Sequence, residues 1–217
     1  MASRREQTGL RRGVKVVVRI SGTDLSASGA SQSKINLSQP DNSEYDRGRS
    51  SFVIALWHFI GSPITRSNLV PISAVKCSIL RLFGARIGCG AYLKPGIKIK
   101  FPWYLTVGDH CWLGEDAWID NIAPVTIGSH VCISQAAYLC TGNHDWTLPN
   151  MKLFRRPIVL EDGSWVGARA TICPGVTLRE GAIAAAGSVI TKDIPPYQIW
   201  GGNPAVYVRD RIIRPRD

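Results

Sequence analysis

Residues 160–194 read LEDGSWVGARATICPGVTLREGAIAAAGSVITKDI, and an apolar residue returns at every sixth position: Leu160, Val166, Ile172, Leu178, Ala184 and Ile190. That period is neither the roughly 3.6 residues of a helix nor the two-residue alternation of a strand. Four residues behind each comes a mostly small or apolar residue: Ser164, Ala170, Val176, Ala182, Ser188 and Ile194. Upstream the same phase holds in blocks: Ile87, Leu93, Ile99; Val107, Leu113, Ile119; Ile127, Ile133, Leu139. Two-residue slips and one long insertion separate the blocks. Gly directly follows Ile87, Val107, Leu113, Ile127 and Val166.

Each six-residue unit reads as a short strand with its corner, the aliphatic and the small residue pointing inward and the polar residues outward. The glycine after the aliphatic is read as backbone freedom at the corner. Three units close a triangular coil, so the fifteen units give about five coils stacked as a solenoid. Each coil covers its aliphatics only against its neighbours, so the stack requires caps. The fold class that follows is mainly all-β, a parallel β-helix with short N-terminal helices and a C-terminal cap.

The rest of the chain divides around that stack. Residues 1–44 form a basic arm rich in Ser, Gly and Gln, expected to be largely disordered, with one Val-Lys-Val-Val-Val-Arg-Ile run able to pair as a strand. Residues 45–86 are expected to be a helical cap of two short amphipathic helices, with breaks at Gly61–Pro63 and Pro71. The β-helix spans 87–195 with an insertion loop at 145–157, and 196–217 form the C-terminal cap and tail. Net charge is +10, of which residues 1–20 supply +5 and 206–217 supply +2. Charge alone does not choose among nucleic acid, an anionic membrane and a phosphate-rich ligand. The arm lacks interleaved aromatics, so weak electrostatic attraction to a membrane surface is preferred and no nucleic-acid partner is expected. The six cysteines form no Cys-x-x-Cys pair and no His lies at zinc-finger spacing from them, so no metal is expected and a reducing, cytoplasmic location is.

The repeat resembles the hexapeptide-repeat acyltransferases, and within them the colanic-acid-biosynthesis acetyltransferase group. The residues that carry the resemblance lie between about 36 and 213. They are Asp41-Asn42-Ser43 with Tyr45-Asp46-Arg47-Gly48-Arg49, Leu80 to Ala85, Phe101-Pro102-Trp103, Cys140-Thr141-Gly142-Asn143-His144-Asp145, and Gly201-Gly202-Asn203-Pro204-Ala205. The resemblance implies left-handed coils, a homotrimer with the active site between subunits, acetyl-CoA as co-substrate, and transfer of acetyl to a sugar hydroxyl of an exopolysaccharide or lipid-linked glycan.

Acyl transfer from a thioester to an alcohol needs a base for the hydroxyl proton, and histidine serves because its ordinary pKa lies near neutrality. The chain has four: His58, His110, His130 and His144. His110 and His130 fall at outward positions of repeat units and His58 in a helix. His144 stands where the repeat breaks, and the resemblance makes it the catalytic base. The resemblance further implies that Trp165, Ala168, Ala186, Thr191, Lys192 and Arg209 contact the CoA moiety. Lys192 and Arg209 suit its phosphates. Asp120, Asn121 and Asp145 are expected to face the acceptor, with Asp145 either orienting the imidazole or simply solvated. Arg155 and Arg156 could meet a phosphate of a lipid-linked acceptor. Two rivals stand beside this reading, a non-catalytic β-helix scaffold and an acetyltransferase for a non-sugar acceptor.

Overall fold

The computed structural model describes residues 33–215. The basic arm's strand-forming run lies outside the described residues. Fifteen short strands build five complete coils, and their ladders run from coil to coil as three parallel faces. On the first face Ile87, Val107, Ile127, Leu160 and Leu178 stack in register. The second face stacks Leu93, Leu113, Ile133, Val166 and Ala184. The third stacks Ile99, Ile119, Leu139, Ile172 and Ile190. All fifteen are buried, and Cys111, Ala117, Ala137, Ala170 and Ala182 fill the corners between them. Backbone bonds such as Trp112 N–H to the Val131 carbonyl (2.9 Å) and Trp165 N–H to the Ala182 carbonyl (2.8 Å) join adjacent coils. A period of six therefore works because each strand is only two or three residues long and satisfies its backbone on the next coil.

The glycines that follow the aliphatics have a different role from the one expected. A Cβ on Gly108 would lie 2.6 Å from the Gly128 carbonyl carbon, and one on Gly167 2.6 Å from the Ala186 nitrogen. These glycines are required by the close approach of the neighbouring coil. The left-handed backbone sits two residues later, at His110 (φ 54°) after Gly108 and at Arg169 (φ 58°) after Gly167. His110 and His130 are outward corner residues as expected, with their rings stacked 5.4 Å apart.

A sixth turn begins where Ile194 bridges Leu178 and the strand Gln198–Gly202 joins the second face beside Ile183–Ala184. The chain then reverses at a Gly-Asn-Pro turn containing a cis Asn203–Pro204 bond, and Ala205–Asp210 returns antiparallel to cap the face. Arg211 Nη1 donates to the carbonyls of Gly163 (2.7 Å) and Gly181 (2.9 Å), tying this cap to the last corners.

At the other end the cap is helical: α1 (Ser51–Leu56), a π-turn (Trp57–Gly61), α2 (Ser62–Arg66) and α3 (Ser73–Leu82). Ser50 caps α1 through the Val53 N–H. The expected break at Gly61–Pro63 is absent. The helical path continues because the π-turn, closed by Ser62 N–H to the Trp57 carbonyl, widens the turn that receives Pro63. Gly61 is needed there because a Cβ would meet the rings of Trp57 and, at 2.8 Å, Phe83. Trp57, Cys77 and Leu80 seal the first coil. Lys76 is fully buried beside them, its ammonium donating to the carbonyls of Ser67 (3.3 Å) and Lys94 (3.5 Å).

Candidate active site

The chain leaves the third face after Cys140 and forms a hairpin in which Gly142–His144 pairs antiparallel with Leu153–Arg155. Two consecutive turns fold its tip, Leu148 N–H to the Asp145 carbonyl (3.2 Å) and Met151 N–H to the Leu148 carbonyl (3.0 Å). They bring the Met151 carbonyl to 2.7 Å from His144 Nδ1. A carbonyl only accepts, so Nδ1 carries the proton and donates it, and in the neutral ring Nε2 is left as the open acceptor. No residue pattern points to this partner, because a backbone carbonyl has no residue signature.

Asp145 does not reach the imidazole. Its Oδ1 accepts from Thr147 Oγ1 (2.6 Å) and Thr147 N–H (2.9 Å), and those bonds, with Lys152 nearby, hold its carboxyl below the ordinary aspartate value. The expectation that Asp145 could orient His144 is therefore corrected: Met151 does so. Asp145 still lines the same cavity of about 500 Å³ as His144, together with Glu44, Trp146, Lys152 and Arg156. Of the dibasic pair, Arg155 is occupied by the Ile122 carbonyl (2.8 Å), whereas Arg156 faces this cavity.

A strap from residues 36 to 49 fixes the hairpin. Leu153 N–H donates to the Asp41 carbonyl (3.0 Å), Lys152 lies between Asp41 (3.9 Å) and Glu44 (3.7 Å), and Trp103 Nε1 donates to the Arg47 carbonyl (2.8 Å). At Gly48 (φ 68°) the strap turns so closely that a Cβ would collide with Tyr104 and lie 3.1 Å from Trp103 Nε1. The motif residues Asp41 to Arg49 and Phe101 to Trp103 thus belong to one support.

Neither Asp120 nor Asn121 lines the His144 cavity. Asp120 pairs with Lys100 (3.0 Å), accepts from Tyr138 Oη (3.1 Å) and lines a different cavity, under the helical cap. Asn121 is 0% exposed, and its amide closes on Phe101, accepting from its N–H (3.0 Å) and donating to its carbonyl (2.7 Å). Its expected contact with an acceptor is corrected to a structural bridge between coils, since both ends of the amide are used.

The second face carries a groove of about 430 Å³ lined by Ser134, Trp165, Ala168, Ala184 to Ala186 and Ile199. Trp165 is 42% exposed and is oriented by its Nε1, which donates to Ser134 Oγ (2.9 Å). Gly167, Ala168 and Ala186 line the groove beside the indole. Arg209 lines an adjoining cavity that shares Ile199 with this groove, while Thr191 and Lys192 are exposed at the last corner of the third face. The groove and the His144 cavity share no residue within one chain. Among the described residues no cluster of three His, Cys, Asp or Glu side chains is arranged to hold a metal ion.

The family model described as the hexapeptide repeat of succinyl-transferase matches residues 157–192. The Escherichia coli protein WcaF, named as a colanic acid biosynthesis acetyltransferase, is 36% identical over 166 residues, 76% of this chain and 91% of that one. The galactoside O-acetyltransferase of the same organism is 29% identical over 61% of this chain and 67% of its own length. A hexapeptide-repeat acetyltransferase of Vibrio cholerae superposes with a TM-score of 0.67 at 27% identity, covering 74% of this chain and 93% of that one. Its complex with acetyl coenzyme A matches with the same score at 25% identity, covering 76% and 92%.

Proposed function

The chain belongs to the hexapeptide-repeat acetyltransferases and uses acetyl-CoA, and on that premise we propose that it acetylates a sugar hydroxyl of an exopolysaccharide or related glycan, with His144 as base. The observation that carries the reading is the Met151 carbonyl held 2.7 Å from His144 Nδ1. It fixes the tautomer whose Nε2 can take a proton from an alcohol. In the proposed reaction the acceptor hydroxyl gives its proton to Nε2 as its oxygen bonds to the thioester carbonyl carbon. The tetrahedral adduct then expels the CoA sulfur, which receives the proton back from the imidazolium. During the step Met151 stabilises the cationic ring. No covalent acyl-enzyme is required, and burial pushes the Cys77, Cys111, Cys132 and Cys173 thiols up, away from nucleophilic character.

The pantetheine and acetyl groups are assigned to the apolar groove beside Trp165, with Arg209 and Lys192 toward the CoA phosphates. Glu44, Asp145 and Arg156 are assigned to the acceptor. Because His144 and Trp165 serve different cavities of one chain, the complete site is assigned to the interface between copies in a homotrimer, as in the resemblance. Six free cysteines fit a reducing, cytoplasmic compartment, and among the described residues no helix is long and apolar enough to cross a membrane.

The test is incubation with acetyl-CoA and a panel of sugars, nucleotide sugars and amino sugars, reading free CoA and the mass of the product. An acetyl ester on a sugar is expected. An acetyl amide would redirect the acceptor to an amine, and no acceptor-dependent release would favour the scaffold reading.

A further inference from the structure

Between Asp46 and Asp109 the sequence contains no acidic residue, yet residues 47–108 hold nine Lys and Arg. Lys76 is buried and Lys100 is paired with Asp120, which leaves Arg47, Arg49, Arg66, Arg81, Arg86, Lys94 and Lys98. Among the described residues none of these seven forms a salt bridge. Among the described residues the net positive charge is therefore concentrated on the helical cap and the first coils beneath it.

The same cap is apolar on its outer side. The helical run 51–66 buries Trp57, Gly61 and Thr65 against the first coil, as an amphipathic helix should. Its outward stripe is Phe52 (75% exposed), Leu56, Phe59 (75%) and Ile60 (51%), at i, i+4, i+7 and i+8, a spacing that keeps them on one side of a helix. The loop that follows adds Leu69 (92%) and Ile72. A helix apolar on both sides is at rest only when both sides are covered. Between this helix and the third face lies a cavity of about 430 Å³ whose lining includes Arg47, Arg66, Lys98 and Lys100, with Trp57 and Trp118 as walls. Its one carboxylate is Asp120, already held by Lys100.

We propose that the helical cap docks on an anionic phospholipid bilayer, with Phe52, Leu56, Phe59 and Ile60 entering the headgroup–acyl boundary and the cationic cavity beside them receiving lipid phosphates. An apolar stripe flanked by cations, with the one carboxylate of the adjoining cavity already held by Lys100, matches an interface that is apolar inside and negative at its surface. The inference concerns the cap and stands independently of the acceptor and of His144. It also assigns membrane contact to the cap rather than to the basic arm.

The test is co-sedimentation of the full chain with vesicles of phosphatidylcholine alone or mixed with phosphatidylglycerol, at low and high salt. Binding is expected to the mixed vesicles, weakened by salt, and to be reduced about tenfold or more by Phe52→Ser with Phe59→Ser. Two comparison chains should bind as wild type does: Val206→Ser with Val208→Ser, which alters exposed apolar residues on the C-terminal strand, and a chain with Arg4, Arg5, Arg11 and Arg12 changed to Gln. Should the Phe pair melt early, Arg66→Gln with Lys98→Gln reads the same surface through its charge and must lose binding. No binding to mixed vesicles, wild-type binding by these cap variants, or loss caused by the arm substitutions alone would overturn the proposal.

Discussion

Replacing Gly167 by Ala tests the contact that sets the spacing between coils. The added Cβ would lie 2.6 Å from the Ala186 nitrogen and 2.8 Å from the Ala184 oxygen, both backbone atoms. Relaxing the closer contact to an ordinary 3.4 Å requires a separation of 0.8 Å (3.4 − 2.6). The Gly167 N–H to Ala184 carbonyl bond crosses the same gap at 2.8 Å. Opened by that amount it would reach about 3.6 Å, past hydrogen-bond range. Overpacking of about 1–3 kcal/mol and a lost backbone bond of about 1 kcal/mol together give about 2–4 kcal/mol. At about 2–4 °C for each kcal/mol in a chain of this size, Tm should fall by about 4–16 °C. Gly187→Asn is the matched comparison: Gly187 has φ 69° but nothing within 4 Å, and Asn tolerates that backbone. Differential scanning calorimetry should show Gly187→Asn within about 4 °C of wild type, a cost under about 1 kcal/mol. If Gly167→Ala melts with wild type, or Gly187→Asn is equally damaging, the distinction between contact glycines and conformational glycines is wrong.

Trp165→Ala should raise KM for acetyl-CoA by about 10- to 100-fold, the value of one aromatic side chain's buried surface, with a smaller effect on KM for the acceptor; equal effects on both would move the acetyl-CoA groove elsewhere. Asp145→Asn should leave the pH dependence of kcat/KM unaltered, because the Met151 carbonyl orients His144, and a displaced profile would restore Asp145 to that role. Burial holds the Lys76 ammonium below its ordinary 10.5, so the folded chain releases this proton before the unfolded chain does and stability from this group rises as pH climbs toward 10.5. Lys76→Met should therefore melt above wild type near pH 7, with the difference narrowing at alkaline pH; a pH-independent difference would contradict the assignment.

The sequence made the stack legible because burial leaves a spaced record: all fifteen aliphatics of the period-six series point inward. It misled at Gly108 and Gly167, where spacing reports how often glycine recurs but not what stands opposite it on the next coil. The helix through Gly61 and Pro63 was hidden for a related reason, since a π-turn is a backbone adjustment that no residue type announces. His144 was legible as the histidine at the break in the repeat. Its Met151 partner was not, and that Asp120 lines the cavity under the cap rather than that of His144 depends on a corner whose direction no pattern encodes. The strap residues Asp41 to Arg49 were visible as a motif, while their work of holding the hairpin became clear only from the bonds to Leu153 and Trp103.

The most direct measurement is kcat for acetyl transfer set beside the Kd for acetyl-CoA, in wild type and His144→Ala. The account predicts kcat lower by about 10²- to 10⁴-fold, the usual contribution of a general base, with Kd within about twofold because the Trp165 groove contains no residue of the His144 cavity. Transfer that survives the substitution would contradict His144 as the base, and a lost Kd would show that His144 holds the co-substrate instead.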